Sequence, residues 1–188
     1  MRDHAAPFGT SSTRGPSPRP ERSMQIHEIR DHKKRYLPLL LLADEQEDMI
    51  DRYLERGTLY VLTDGGGDAK GACVVTDEGD GVLEIKNLAT APQSRRKGYG
   101  KALVGFLENR YRDAFSVLQV GTGESPLTLP FYIKCGFRFS HRIPNFFTEH
   151  YDHPIIEAGV RLVDMVVLRK PLEAPSLGSQ GSTDRAPV

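Results

Sequence analysis

Leu88-Ala89-Thr90-Ala91-Pro92-Gln93-Ser94-Arg95-Arg96-Lys97-Gly98-Tyr99-Gly100-Lys101-Ala102 is the stretch on which the reading of this chain turns. A β-like run, Val82–Ala89, leads into it. A helical pattern from about Gly98 leads out, with Leu103, Val104, Phe106 and Leu107 on one face. Between them lies a basic turn bearing glycine, and such a turn is built to hold an anion. The first amides of a helix have no partners within it, and the helix dipole places partial positive charge at the same point. Glycine lets a phosphate approach the main chain. Arg95, Arg96, Lys97 and Lys101 add charge around a second phosphate. The spacing G-x-x-x-x-G-K-[ST] is missing here, and Gly121-Thr122-Gly123 is not completed to G-x-G-x-x-G. On these residues alone, a glycine-rich helix start with solvated arginines fits equally well.

Working outward, Met24–Ile29 reads as a short strand. Asp44, with Glu47 at the capping-box position, starts a helix that Gly57 ends, and Met49, Ile50, Tyr53 and Leu54 give it one apolar face. Leu59–Thr63 and Gly71–Thr76 form a hairpin through Asp64-Gly65-Gly66-Gly67-Asp68, and Asp77–Gly81 is a second turn. The helix from Gly98 ends near Arg112. Then come a strand over Ser116–Gly121, a short helix over Leu127–Lys134 that contains Pro130, and a closing strand over Leu162–Leu168. Antiparallel hairpins followed by a strand–helix–strand crossover make a mixed α+β (α/β) domain.

The 188 residues carry 25 basic and 25 acidic side chains, so the overall field that nucleic-acid binders show is missing. The longest apolar run, Leu37–Ala43, is broken by Pro38 and falls short of the ~18–20 residues of a membrane span. Cys73 and Cys135 stand 62 positions apart without local partners, which reads as reduced, buried thiols and a cytoplasmic protein. Residues 1–23 and 171–188 are rich in Pro, Ser and Gly and poor in large apolar side chains, so both are expected to be disordered tails. They carry charges of +2 and −1, leaving −1 on residues 24–170, the expected domain. Met24, at its edge, is also a candidate start codon.

Arg95-x-x-Gly98-x-Gly100 resembles the Gln/Arg-x-x-Gly-x-Gly/Ala signature of the GNAT superfamily of N-acetyltransferases. Glu84-Ile85-Lys86-Asn87-Leu88-Ala89 looks like its central strand. Phe131-Tyr132-Ile133-Lys134-Cys135-Gly136-Phe137 looks like its motif B, in which a tyrosine stands four residues before Gly-Phe. Tyr132 to Phe139, Phe146-Phe147, Tyr151, Pro154-Ile155, Glu157, Gly159 and Asp164-Met165 are similar to an uncharacterised bacterial subgroup. The resemblance implies a central mixed, mostly antiparallel sheet of about six or seven strands flanked by about four helices. It implies acetyl-CoA as co-substrate, without a metal. The main chain of Leu88, Ala89 and Thr90 would then pair with the pantetheine arm. The amides of Arg95, Arg96, Lys97, Gly98, Tyr99, Gly100 and Lys101 would hold the pyrophosphate. Ser125, followed by Pro126, stands near where many relatives have an asparagine that bonds the pantetheine.

The implied reaction is acetyl transfer from a thioester to a primary amine of a small molecule or a protein by direct attack. Tyr132 would stand by the sulfur as general acid, its ordinary pKa of about 10 being close to that of the departing thiol. Glu84, eleven positions before Arg95, occupies the offset of the glutamate base in histone-type members, with Glu124 in reserve. Strand alternation predicts Glu84, Lys86 and Leu88 on one face, opposite Ile85. Tyr132 also fits a core aromatic packed on Phe131 and Phe137, and Glu84 a wet strand residue. The alternative function is a non-catalytic CoA-binding module acting as sensor or regulator; retention of Glu84 and Tyr132 favours the enzyme. His150-x-x-His153 with Asp152 lacks a third ligand group, so no metal site is expected. Cys135 has no histidine partner to make it a nucleophile. The acidic surface of Glu45, Glu47, Asp48 and Asp51 reads as solvated. Neither nucleic acid nor membrane is an expected partner, and a homodimer is a possible assembly.

Overall fold

The structure, a computed structural model, describes residues 24–173. The expected tail at 1–23, and the one at 171–188 from residue 174 onward, lie outside these residues. The strands are β1 (Gln25–Ile29), β2 (Thr58–Thr63), β3 (Ala69–Asp77), β4 (Val82–Thr90), β5 (Val117–Gly123), β6 (Arg138–Ile143), β7 (Ile156–Glu157), β8 (Val160–Arg161) and β9 (Met165–Pro171). The helices are α1 (Leu37–Leu40), α2 (Glu47–Leu54), α3 (Tyr99–Tyr111), α4 (Leu129–Lys134) and α5 (Phe146–His150). Seven strands form one sheet in the order β1-β2-β3-β4-β5-β9-β6, with β7 and β8 a separate hairpin. The β4–β5 pair is parallel and the other pairs in that sheet are antiparallel. The mixed α+β sheet expected from the resemblance is what the chain forms. Among the described residues no helix is long and apolar enough to cross a membrane.

Alternation along the strands sends side chains to two cores. Leu62, Cys73, Val75, Leu83 and Ile85 meet Tyr99, Leu103 and Leu107 of α3 and Tyr132 of α4 on one face. Leu59, Val61, Ala72 and Val74 meet Leu40, Ile50, Tyr53 and Leu54 on the other. The apolar face expected of α2 is therefore the face it buries.

Several expectations shift. Asp44 does not cap α2; Gln46 holds the cap position, and the Asp44 carboxylate instead accepts bonds from the hydroxyls of Tyr53 (3.1 Å) and Tyr151 (3.0 Å). A tertiary partner outcompetes the local cap. Helix α4 begins at Leu129, so Pro130 sits in its first turn, where a missing N–H costs nothing. The closing strand starts at Met165 rather than Leu162, because Leu162 packs with Phe147 and Ile155 in a third, small cluster. At its other end β9 runs to Pro171 and Leu172 is buried, past the boundary expected at 170.

Candidate active site

Strands β4 and β5 run side by side only from the Val82–Val117 pair to the Ile85–Val120 pair. Beyond this, β4 keeps pairing with β3 as far as Thr90–Gly71, and β5 with β9 as far as Gly123–Met165. The two strands part. The edge of Leu88, Ala89 and Thr90 that faces β5 thus presents main-chain donors and acceptors with no strand to meet them, a ready ladder for an extended, amide-bearing ligand.

At the end of that edge stands the basic turn. Arg96 (φ 60) and Gly98 (φ 88) take left-handed conformations, and Gly98 caps α3 without any side-chain bond to the free amides. A Cβ built on Gly98 would meet nothing within 4 Å, so the space before the helix is open. A turn of alternating handedness ahead of a free helix start forms a concave cluster of N–H groups suited to phosphate. Gly100 is needed for a different reason: a Cβ there would come within 3.2 Å of the Phe131 ring, so its absence lets α3 lie close on α4. Arg95, Arg96, Lys97 and Lys101 are exposed around the turn, and Lys97 Nζ donates to the Gln93 carbonyl at 2.6 Å. Tyr99 is buried, its hydroxyl donating to Asp64 at 3.2 Å, so its side chain anchors the turn and only its amide belongs to the anion site. Free strand edge and open turn together fit the pantetheine and pyrophosphate of acetyl-CoA. Ser125 does something more local: its hydroxyl accepts from the amides of Leu127 (3.2 Å) and Thr128 (3.3 Å), fixing the start of the α4 segment.

Tyr132 is buried between Phe131 and Phe137, with ring centroids 5.0 and 5.5 Å away. Burial pushes its phenol above the usual range, with smaller effects from Cys135, Cys73 and Glu157. Tyr132 shares the α3-side core with Leu88, and the neighbouring Phe131 ring flanks Gly100 next to the Thr90 hydroxyl, so α4 lies by the end of β4. The group stays protonated at neutral pH, as a donor must.

The register of β3 and β4 slips between Val74 and Val75, leaving Lys86 as an extra residue on β4. The bulge reverses the alternation. Leu88 falls on the α3 face with Ile85, while Asn87 turns to the α1–α2 face, so the expected grouping of Glu84 and Lys86 with Leu88 is wrong. Glu84 is bonded by Lys86 Nζ (2.8 Å) on one oxygen and by Gln119 Nε2 (2.7 Å) on the other. Gln119 in turn accepts from Arg169 at 2.7 Å. Glu124, the reserve base, is exposed and held by both guanidinium nitrogens of Arg142, which keeps its carboxyl below the usual range.

Two residues that matter here escaped the sequence reading of the site. Asn87, 3% exposed, donates to the Leu40 carbonyl and the Tyr53 hydroxyl at 3.0 Å each. An asparagine inside a β-run was its signal. Glu157 on β7 has a buried carboxylate oxygen without a partner, and no local spacing marks it. Burial raises the Cys135 thiol above its usual range, and Lys170 donates to its main-chain carbonyl at 2.7 Å. Among the described residues no group of three or more His, Cys, Asp and Glu could hold a metal ion.

The acetyltransferase (GNAT) domain family matches residues 55–139. An uncharacterized N-acetyltransferase of Bacillus subtilis, YvbK, is 39% identical over 132 residues, covering 69% of this chain and 84% of that protein. This chain is a member of the GNAT acetyltransferase family. Among solved structures, it is similar to a GNAT family acetyltransferase from Elizabethkingia anophelis with acetyl-CoA bound (32% identity, TM-score 0.75, covering 79% of this chain and 98% of that one). It is also similar to a Bacillus subtilis acetyltransferase in complex with CoA (35% identity, TM-score 0.72, covering 80% and 99%). The chain is accordingly an N-acetyltransferase by family.

Proposed function

We propose that the protein transfers the acetyl group of acetyl-CoA to a primary amine of a small molecule or protein in the cytoplasm, where Cys73 and Cys135 remain thiols. The domain doing so is taken as residues 24–172, the remaining ends being dispensable. The observation that carries this reading is the parting of β4 and β5 directly before the open amino end of α3, with Tyr132 in the core that Leu88 packs against. Leu88, Ala89 and Thr90 bind the pantetheine, and the amides from Arg95 to Lys101 bind the pyrophosphate. The amine nitrogen gives up a proton, its lone pair forms the new N–C bond, the C–S bond breaks, and the departing thiolate takes the phenolic proton of Tyr132. Tyr132 then recovers a proton from solvent.

Glu84 is assigned the amine's proton by its offset from Arg95. Its two oxygens are engaged, so it must first give up the bond to Lys86. Thiol release with a panel of alkylamines, amino acids and aminoglycosides tests the whole reading. Acetyl-CoA binding without thiol release in any of them would make the chain a CoA-holding sensor or regulator instead. Within an active enzyme, Glu84→Gln should slow turnover most at low pH, where the amine is mainly protonated, and the defect should shrink as pH rises. A normal pH–rate profile in that variant would take the base role away from Glu84.

A further inference from the structure

Among the described residues, two buried side-chain oxygens have no hydrogen-bond partner: Asn87 Oδ1 and Glu157 Oε2. A buried acceptor left without a donor is costly, more so when it carries charge, and native proteins leave few. Asn87 lies where the strands part, on the α1–α2 face, and Glu157 lies at the end of β5. Asn87 is the second residue after the last β4–β5 pair, and its amide nitrogen is already committed to Leu40 and Tyr53, which fixes the plane of the side chain. Glu157 belongs to the β7–β8 hairpin, whose flanking residues Ile155 and Leu162 are joined by a main-chain bond of 2.9 Å and buried with Phe147. Leu162 presses on Gly123, the last residue of β5, so closely that a Cβ there would collide with it. The hairpin therefore sits at the open end of β5, and its carboxylate is close enough to Tyr132 to bear on the phenol.

We infer that Glu157 receives the acceptor amine as its ammonium ion. This rests on the acetyltransferase reading and adds the class of acceptor. An ammonium carries three donors and no acceptor, which is the complement of a buried carboxylate oxygen lacking a donor. A carboxylate bonded by a charged donor is among the stronger hydrogen-bonded pairs, and burial strengthens it. Of the cations at this end, Lys86 is held by Glu84 and Arg142 by Glu124, and Arg161, paired with Ile156, falls on the other face of the hairpin from Glu157. An acceptor with its own carboxylate beside the amine would bring that charge against Glu157, with no cation on that face of the hairpin to meet it. The acceptor class is a cationic amine without an adjacent carboxylate, and Glu157 binds it while proton removal stays with another group.

The test uses the full chain saturated with CoA and follows its thermal midpoint in titrations of n-butylammonium, n-butanol and 2-aminobutyrate. Butylammonium should raise the midpoint at concentrations where the alcohol and the amino acid do not. Glu157→Gln should weaken the apparent amine affinity by about ten- to a hundredfold with CoA affinity unchanged, and Glu157→Asp should restore part of it. An amine affinity in Glu157→Gln equal to that of the native chain overturns the inference. So does a native chain that binds the alcohol or the amino acid as well as butylammonium, an outcome that needs no variant to fold. A native chain that binds butylammonium through Glu157 yet releases no thiol with any amine would leave this inference standing and end the transferase reading.

Discussion

The two sides of the opening between β4 and β5 are made of different material. The side to which we assign the acetyl donor is main chain: the free edge of Leu88–Thr90 and the amides of the turn before α3. The side toward α1 and α2 is made of side chains. Asn87, Asp44, Tyr53 and Tyr151 come from a strand, a loop, a helix and the segment after α5, joined by bonds of 3.0–3.1 Å. A main-chain site tolerates most sequences and demands only glycine where handedness or space requires it. A side-chain site changes with every residue, so the acceptor we assign to that side would be set by side chains rather than by the fold.

Tyr132 stands between the two sides, and its loss should have the largest effect. Tyr132→Phe keeps the packing on Phe131 and Phe137 and deletes only the hydroxyl. Turnover should fall by about 10²- to 10⁴-fold with acetyl-CoA affinity little changed. Because burial raises the phenol, the native enzyme should hold its acid-dependent rate past the ordinary tyrosine value of 10.0. Steady-state kinetics across pH would show both effects. A fully active Tyr132→Phe would mean that the thiolate leaves unassisted.

The same division explains what could be read in advance. The donor side was legible because strand, turn and helix start are contiguous, and a local pattern is enough to place main-chain groups. The mixed α+β class followed from that segment and the hairpins around it, and the seven-stranded sheet from the resemblance to the GNAT superfamily. The acceptor side was not legible, because its residues meet only in three dimensions. Asp44 looks like a cap until Tyr53 and Tyr151 are brought to it. The bulge at Lys86 swaps the faces of the residues after it, which no alternation rule foresees. Strand β6 was missed because all six of its residues are exposed, so it has no apolar rhythm. Glu157 is one glutamate among many until its hairpin is laid against Gly123.

Next in size is Gly98→Asp, which attacks the donor side alone. The carboxylate would enter the open space assigned to a phosphate, and acetyl-CoA affinity should drop by about ten- to a hundredfold. A side chain at φ 88 is strained as well, so the variant should melt lower by an amount that Gly98→Ala reproduces. Isothermal titration of both variants separates charge from strain. Equal affinity for acetyl-CoA in a folded Gly98→Asp and in the native protein would remove the turn from the binding site.

Asp44→Asn tests the acceptor side by its stability and should have the smallest effect. Desolvation raises the Asp44 carboxyl above the usual range, with the hydroxyls of Tyr151 and Tyr53 opposing it. A folded-state pKa above the unfolded one means that folding favours the protonated acid. The stabilisation it brings is full below the unfolded value near 4 and is lost as pH rises through the folded value. At neutral pH the native protein therefore holds a buried charge that the variant lacks. The variant's thermal midpoint, relative to native, should be most favourable at neutral pH and should lose that advantage as pH falls through the carboxylate range. The amide oxygen still accepts from one tyrosine hydroxyl, so the network loosens without collapsing, and acetyl-CoA affinity should not move. Thermal scans of both proteins from pH 3 to pH 7.5 decide it. A difference in midpoint that stays constant across that range would show that Asp44 ionises alike in the folded and unfolded chains, and that the tyrosines fully offset its burial.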